Sequence, residues 1–244
     1  MENIQKYFCG LEYPGRFIIG GQIKDSEDIF LAYGITGRSA ASQARRMIKR
    51  ENGIWVEPTD PELIVRGNPD LLIYPSMLFS PHGLAVSNGK QTLDILKAAE
   101  ATREPVLALA HALKDWKYEP DEPIYTPRIS LVFTGGFSLG LSLIRRAEFG
   151  QVIREYFELP LVPGKGWLIM TYMGINADPV PPFFGEPAYL EVAERRADEL
   201  ANGLYDSLQP ADGKKDLRVA VAVAIASGST LEIQQIKIIN RKET

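Results

Sequence analysis

Strand-like and helix-like segments occur in blocks along this 244-residue chain, not in regular alternation. Short hydrophobic runs come first, two amphipathic helices follow, more strands come next, and a long helix precedes the last two strands. Such blocks are typical of layered α+β folds and not of alternating βαβ nucleotide folds. The sequence also lacks GxGxxG after a strand and GxxxxGK[ST], so the usual dinucleotide and P-loop sites are absent. We therefore predict one α+β domain over residues 1–244.

Hydrophobic runs and helical spacing define the predicted elements. The predicted strands are Arg16–Gly21, Ile29–Thr36, Ile54–Val56, Leu71–Tyr74, Leu84–Ser87, Ile129–Thr134, Ser138–Arg145, Val152–Leu159, Trp167–Tyr172, Leu217–Ala226 and Leu231–Ile239. The predicted helices are Thr92–Ala101, a second that begins at Pro105, and Pro187–Leu208. The first two strands do not alternate cleanly, so we expect both of their faces to be covered. We expect the basic run 45–50 to be a solvated face, and the proline-rich segment 178–185 to be irregular.

Composition excludes several classes of function. The net charge is −4, which does not favour broad binding of nucleic acid or of a membrane surface. One cysteine, Cys9, and two histidines, His82 and His111, leave no disulfide framework and no cysteine- or histidine-rich metal centre. The first ten residues lack the apolar core of a signal peptide, and no run reaches the roughly 18 apolar residues of a membrane span. We expect a cytoplasmic protein.

The segment Tyr118–Ile129 concentrates polar chemistry. It contains three acids, two tyrosines, a threonine and an arginine, together with three prolines, within twelve residues. The prolines exclude a helix interior or a central strand. A rigid polar loop that leads into a buried strand is a good place for a functional site. The alternative is a solvated acidic turn in which Arg128 pairs locally with Glu122.

Two further motifs follow predicted strands. Gly37-Arg38-Ser39 comes directly after the second strand, where a guanidinium, a hydroxyl and backbone N–H groups could hold an anion. Asn88-Gly89 follows Val86-Ser87 and is a strong tight-turn pair, which alone explains the asparagine. Each motif is weak by itself.

Together, these motifs resemble the archaeal-type IMP cyclohydrolases of purine biosynthesis. The matching stretches are Leu31–Tyr33 through Gly37–Ser39, Val86–Gly89 with Thr92 and Asp94, Tyr118–Glu122 and Thr126–Ile129, with Gly15-Arg16 and Asn68-Pro69 before Tyr74. The resemblance implies a four-layer α-β-β-α sandwich like that of the N-terminal nucleophile hydrolases. It implies closure of 5-formamidoimidazole-4-carboxamide ribotide, a purine ribotide, to inosine monophosphate with loss of water. It implies no metal and no organic cofactor, and a homo-oligomer such as a tetramer.

The residues suit this chemistry, because an amide nitrogen is a poor nucleophile that needs orientation, proton removal and stabilisation of negative charge on oxygen. In the roles that the resemblance implies, the catalytic residues are Glu119 as the group that removes the proton, and Tyr74 and Asn88 as donors. The substrate-binding residues are Arg38 and Arg128 for phosphate or developing charge, Ser39 and Thr126 as secondary donors, and Tyr33 and Asp94 as supporting groups.

Two alternatives remain open from the sequence. Cys9-Gly10 resembles the start of some glutamine-using N-terminal nucleophile amidohydrolases, although Cys9 lies before the first matching strand. A non-catalytic protein that binds purine ribotides would carry the same pocket.

Overall fold

The computed structural model describes residues 2–60, 62 and 73–241. Its strands are β1 (Arg16–Gln22), β2 (Ile29–Thr36), β3 (Arg45–Arg50), β4 (Gly53–Pro58), β5 (Tyr74–Ser80), β6 (Gly83–Ser87), β7 (Arg128–Phe133), β8 (Ser138–Arg146), β9 (Val152–Pro160), β10 (Lys165–Met170), β11 (Ala188–Glu191), β12 (Arg218–Ala226) and β13 (Ile233–Asn240). Its helices are α1 (Ile4–Cys9), α2 (Ala40–Gln43), α3 (Gln91–Ala99), α4 (Pro105–Leu113) and α5 (Ala197–Ser207).

The strands form two antiparallel sheets. One has the order β11-β10-β1-β2-β12-β13, and the other is a meander with the order β3-β4-β5-β6-β7-β8-β9. The β1–β2 hairpin lies in the middle of the first sheet, where β2 also pairs with β12 near the end of the chain. All residues of β2 are buried, which confirms the prediction that both faces of this strand are covered.

The two sheets share a hydrophobic core, and helices lie against each of them. Ile18 and Leu31 from the first sheet belong to the same buried cluster as Val86 and Leu131 from the second. Gly20 allows this close packing, because a Cβ there would lie 2.3 Å from Leu131 Cδ1. The mixed α and β composition and the sandwich arrangement therefore agree with the sequence prediction.

The helices add a second layer of packing on these sheets. Helices α3 and α4 pack on the seven-stranded sheet through Ile95 and Leu109, which contact a cluster that includes Val132. Helix α5 packs on β12 and β13, and α1 packs on α5. Residues 2–60, 62 and 73–241 include no helix that is both long and apolar enough to span a bilayer.

The predicted helix Pro187–Leu208 is wrong in its first part. Residues Ala188–Glu191 form β11, which pairs with the edge of β10, and helix α5 begins only at Ala197. The stacked rings of Trp167 and Tyr189, with centroids 4.3 Å apart, fix this pairing. A tertiary contact therefore overrides local helical spacing here.

The basic run 45–50 is also not simply a solvated face. It forms strand β3, and Arg46 and Arg50 pair with Glu57 on β4, whereas Arg45 is only 3% exposed. Because strand side chains alternate between faces, a strand in this position turns some of its residues toward the core. Of the predicted strand Leu71–Tyr74, residues 71 and 72 lie outside the described residues, as does Asn68-Pro69.

The proline-rich segment 178–185 is an irregular, packed connector. Met173 N donates to Pro181 O at 3.1 Å, and Phe183 N donates to Thr171 O at 2.9 Å. Val180 is buried among Tyr13 and Tyr172. The prediction of irregular structure is confirmed, and the segment covers one end of the sandwich core.

Candidate active site

A buried carboxylate stands at the centre of the candidate site. Glu119 is 1% exposed. Its Oε2 accepts a hydrogen bond from Arg16 Nη2 at 2.8 Å, and its Oε1 accepts one from Asn88 Nδ2 at 3.1 Å. Arg128 Nη1 lies 3.9 Å from Oε1. Sequence-distant residues of both sheets therefore meet at one acid.

Strand ends bring these groups together. Arg16 opens β1, Asn88 follows the last residue of β6, and Arg128 opens β7. Glu119 lies on the loop before β7, and its N–H donates to Thr126 O at 2.9 Å, which closes residues 119–126 into a compact turn. The three loop prolines restrict the backbone on either side of this closure.

Burial raises the pKa of Glu119, and the positive charges of Arg16 and Arg128 oppose that rise. A carboxylate with a raised pKa is a better proton acceptor than a free one, because its basicity is closer to neutral pH. Burial without its ionic partners would cost several kcal/mol. The two guanidinium groups therefore keep a basic carboxylate inside the protein.

Asn88 uses all of its side-chain amide inside the protein. Its Nδ2 donates to Glu119 and, at 2.9 Å, to Pro127 O. Its Oδ1 accepts from Ile129 N at 2.9 Å and from Gln91 Nε2 at 3.1 Å. The side chain thus ties the end of β6 to the start of β7 and orients the carboxylate, which turn propensity alone does not explain.

Arg128 is held from several sides. Its Nε donates to Lys117 O at 2.8 Å, its Nη1 donates to Gln91 Oε1 at 3.1 Å, and its guanidinium carbon lies 4.8 Å from the centroid of the Trp116 ring. Arg128 therefore faces Glu119, and its contacts are not those of a local pair with Glu122. Asp94 is exposed and accepts from Trp116 Nε1 at 2.9 Å, so it supports the ring that lies against Arg128.

Two buried tyrosines form a pair that acts electrostatically on Arg16, the ionic partner of the carboxylate. Tyr33 and Tyr74 share a hydrogen bond of 2.6 Å between their hydroxyl oxygens. Burial and the neighbouring Tyr74 raise the pKa of Tyr33 well above its usual value of 10.0, while Arg16 and Arg45 lower it. The Tyr33 phenol therefore keeps its proton at physiological pH and can act as a hydrogen-bond donor.

Two buried guanidinium N–H groups beside this pair have no acceptor within the described part of the chain: Arg16 Nε and Arg45 Nη1. Buried donors are normally satisfied. These two N–H groups are thus suited to an oxygen atom of a bound ligand.

Thr126 lies between an acid and a tyrosine. Its Oγ1 donates to Asp121 Oδ2 at 2.5 Å and lies 2.7 Å from the hydroxyl oxygen of Tyr172. Burial raises the pKa of Tyr172 to about 12, and the charge of Arg16 opposes that rise. Because the Thr126 hydroxyl donates its single proton to Asp121, it can only accept a hydrogen bond from Tyr172.

Arg38 and Ser39 lie away from the carboxylate. Arg38 Nη1 donates to Ala177 O at 2.6 Å, and its guanidinium carbon lies 5.2 Å from the centroid of Tyr13, whose ring stacks on Tyr172. Ser39 is exposed and caps α2 by accepting from Ser42 N at 3.1 Å. Arg38 thus connects to the buried cluster through two aromatic rings, whereas Ser39 has a local structural role.

The cavity beside the cluster has a volume of about 530 Å³ and is lined by Asp115, Trp116, Lys117, Tyr118, Pro120, Tyr125 and Arg128. This size is within the usual range for small-molecule sites. Another cavity, of about 420 Å³, is lined by Thr36, Lys214 and Lys215, among others, but by none of the residues that touch Glu119. We therefore assign the chemistry to the side of the molecule where Arg128 lies.

Sequence reasoning missed Arg45 and Tyr172 and gave Arg16 and Asp121 no role. Arg45 belongs to a basic run that we predicted to be a solvated face. Tyr172 lies at the end of a predicted strand, in the half of the chain that has no matching motifs. A charged residue directly after Gly15, opening a fully apolar strand, was the available signal for Arg16. In the described part of the chain, no group of three or more His, Cys, Asp or Glu side chains could hold a metal ion.

Cys9 is placed poorly for an N-terminal nucleophile. It is the last residue of α1, it is exposed, and it lines the 420 Å³ cavity, which none of the residues that touch Glu119 lines. Freeing Cys9 as a new N-terminus would remove Ile4 and Phe8, which are both fully buried. The amidohydrolase alternative is therefore not favoured.

Comparison with known proteins is consistent with this site. The chain is 29% identical over 171 residues to the IMP cyclohydrolase of Methanothrix thermoacetophila, which covers 69% of this chain and 78% of the relative. A family model described as IMP cyclohydrolase-like protein matches residues 13–229, a range that contains every residue of the Glu119 cluster. The chain therefore belongs to the IMP cyclohydrolase-like protein family.

Proposed function

We propose that the protein is an IMP cyclohydrolase, which closes 5-formamidoimidazole-4-carboxamide ribotide to inosine monophosphate with loss of water. The observation that carries the proposal is the buried Glu119, held by Arg16 and Asn88 and facing Arg128. Ring closure needs a base in a site that also stabilises negative charge on oxygen. The carboxylate of Glu119 supplies the base, and the surrounding guanidinium groups and phenols stabilise the negative charge on oxygen.

In this mechanism Glu119 accepts a proton from the carboxamide nitrogen as that nitrogen attacks the formyl carbon. The formyl oxygen becomes negative and is stabilised by two buried donors that have no acceptor among the described residues, Arg16 Nε and Arg45 Nη1. Tyr74 is the proposed additional donor to this oxygen. Asn88 orients the carboxylate instead of contacting the substrate, because its amide is fully engaged within the protein.

Arg128 lines the 530 Å³ cavity and is the nearer cation for the ribotide. Arg38 is a more distant anchor for its phosphate, supported by the stacking of Tyr13 on Tyr172. The two helical layers around two antiparallel sheets support an architecture like that of the N-terminal nucleophile hydrolases. We also propose that the protein is a homo-oligomer, that it acts in the cytoplasm, and that it needs no organic cofactor.

The decisive experiment is formation of inosine monophosphate from the purified formamido ribotide, followed by absorbance. A parallel reaction without protein corrects for spontaneous closure. The expected result is a rate proportional to protein concentration. Tight binding of inosine monophosphate without such a rate would instead identify a non-catalytic ribotide-binding protein.

A further inference from the structure

We propose that Tyr172, Thr126 and Asp121 form a proton relay between the buried site and solvent, and that Tyr172 is its end at the substrate. The inference rests on the proposed ring closure. It gives a role to Asp121, whose charge also acts on Glu119, and to a tyrosine from the half of the chain without matching motifs.

The hydrogen-bond directions along the three side chains are determined. Asp121 accepts twice from Thr126, through Oδ1 from the backbone N at 2.7 Å and through Oδ2 from Oγ1 at 2.5 Å. A carboxylate has no proton to give, and a threonine hydroxyl has only one. The Thr126 proton therefore points to Asp121, so Tyr172 must donate to Thr126 Oγ1 across 2.7 Å. The lone pairs of the Tyr172 oxygen are left to accept a proton from elsewhere.

Of the three relay groups, Asp121 is the least buried, and it lies at the end of the relay that is opposite to the substrate. Tyr172 is 5% exposed and Thr126 is fully buried, whereas Asp121 is half-buried and reaches the protein surface. A proton that arrives at Asp121 can thus exchange with water, although the two groups before it cannot.

The phenol of Tyr172 is held in place from the side of β1. Its ring stacks on Tyr13 with centroids 5.3 Å apart. Gly15 has a φ of +73°, and a Cβ there would lie 2.4 Å from Tyr172 Cδ2, so a glycine is required at this position. Arg16, which binds Glu119, also acts electrostatically on Tyr172. The phenol therefore borders the same charged cluster as the base.

The relay accounts for the second proton of the reaction. Ring closure moves the carboxamide proton to Glu119, which returns it to the formyl oxygen. The C–O bond then breaks and hydroxide leaves with the electron pair. The formamido nitrogen loses its proton to Tyr172, Tyr172 passes its own proton to Thr126, and Thr126 passes one to Asp121. The N–H electron pair becomes the new C=N bond. The proton on Asp121 passes to solvent, and the hydroxide takes a proton from solvent as it leaves the site, so that the net product is one water.

The test compares substitutions that remove one hydroxyl without changing side-chain shape. Tyr172→Phe keeps the ring that stacks on Tyr13, and Thr126→Val keeps the volume of threonine. Thr126→Ser keeps the hydroxyl and tests rescue. Matched controls are Thr134→Val, which removes a buried hydroxyl bonded to Arg103 O at 2.7 Å beyond the far end of β7, and Tyr156→Phe on β9.

For each protein, kcat and KM, the affinity for inosine monophosphate and the dependence of kcat on the D₂O fraction are measured. The relay predicts that Tyr172→Phe and Thr126→Val lower kcat by about 100-fold, the size typical of lost proton transfer, with unchanged product affinity. Thr126→Ser should restore most of kcat. A plot of kcat against the D₂O fraction should be curved for the wild type, because several protons move together. The same plot should be linear for Thr126→Val.

Values of kcat in Tyr172→Phe equal to those in Tyr156→Phe would overturn the relay while leaving the proposed function intact. Unchanged curvature in Thr126→Val would overturn it as well. If Thr126→Val fails to fold, Tyr172→Phe decides the matter alone. A wild type that forms no inosine monophosphate, yet binds it, would overturn the cyclohydrolase function and the relay together.

Discussion

Arg16 and Glu119 lie 103 residues apart in the chain and form a buried ion pair of 2.8 Å between the start of β1 in one sheet and the loop that leads into β7 in the other. The pair therefore makes the chemistry of the site dependent on the packing of the two sheets.

Replacing Glu119 with glutamine should abolish most of the catalysis. Glutamine keeps the shape and an acceptor for Arg16, but it cannot take a proton from nitrogen. We expect kcat to fall by at least about 100-fold, as is typical when a general base is removed. Steady-state formation of inosine monophosphate measures this. Glu57→Gln on the surface of β4 is the matched control and should behave as the wild type; full activity in Glu119→Gln would exclude the proposed base.

The activity should show an acidic limb that belongs to Glu119. Burial raises the pKa of this carboxyl above its usual 4.5, so protonation inactivates the base at a higher pH than for an exposed glutamate. The ratio kcat/KM should therefore fall as the pH is lowered through that raised pKa. A pH–rate profile of the wild type measures the limb. An inflection at or below 4.5 would contradict the assignment.

Removing the charge of Arg16 should destabilise the fold. In Arg16→Met, Glu119 remains buried without its closest partner, a situation that costs about 3–5 kcal/mol. The pKa of Glu119 should rise further, because Arg16 lowers it in the wild type. A carboxyl with a folded-state pKa above its unfolded value binds protons preferentially in the folded state, so stability falls as the pH rises through the folded pKa. Urea unfolding should thus show a larger deficit at pH 8 than at pH 5, and a deficit independent of pH would argue against a charged Glu119.

A methyl group at Gly89 should displace Arg128. The added Cβ would lie 2.5 Å from both Arg128 Nη1 and Gln91 Oε1, which is too close for either atom to stay. A shift of about 1 Å in a positioning group costs on the order of 100-fold in rate, and we expect a loss of kcat/KM of that size in Gly89→Ala. Steady-state kinetics measure it. Gly10→Ala, where the new Cβ would meet its nearest atom at 3.4 Å, is the control; equal kinetics in both variants would remove Arg128 from the site.

The two bonded tyrosines should differ in importance. If Tyr74 donates to the formyl oxygen, Tyr74→Phe should lower kcat by about 100-fold, as for other lost oxyanion donors. Tyr33→Phe removes only the partner in the 2.6 Å hydrogen bond and should cost less. Kinetics of the two variants under identical conditions give the comparison. The reverse order would make Tyr33 the donor.

The parts of the site that could be predicted are those whose signal is local. Tyr118–Ile129 combines prolines with charged groups, and Asn88 and Arg128 lie at predicted strand boundaries. The α+β class followed from the order of hydrophobic runs, because that order limits how layers can stack, whereas the four-layer arrangement was implied only by the family resemblance.

The missed parts depend on contacts between distant segments. Tyr172 meets Thr126 across 46 residues, and the burial of Arg45 depends on which face of β3 turns inward. The predicted start of α5 failed for the same reason, since the pairing of β11 with β10 outweighs helical spacing at residues 188–191. The periodicity of a segment does not indicate which distant segment will pack against it.

The loop 119–126 is closed at both ends by its own atoms, through Glu119 N to Thr126 O and through Asp121 to Thr126. Residues 122–125 span the interval between these anchors and contribute no group to the Glu119 cluster. Tyr125 lines the 530 Å³ cavity, so composition is free to vary at residues 122–124, but an insertion or deletion among the four would break both closures at once. Related chains should vary in composition at residues 122–124 while keeping the same length.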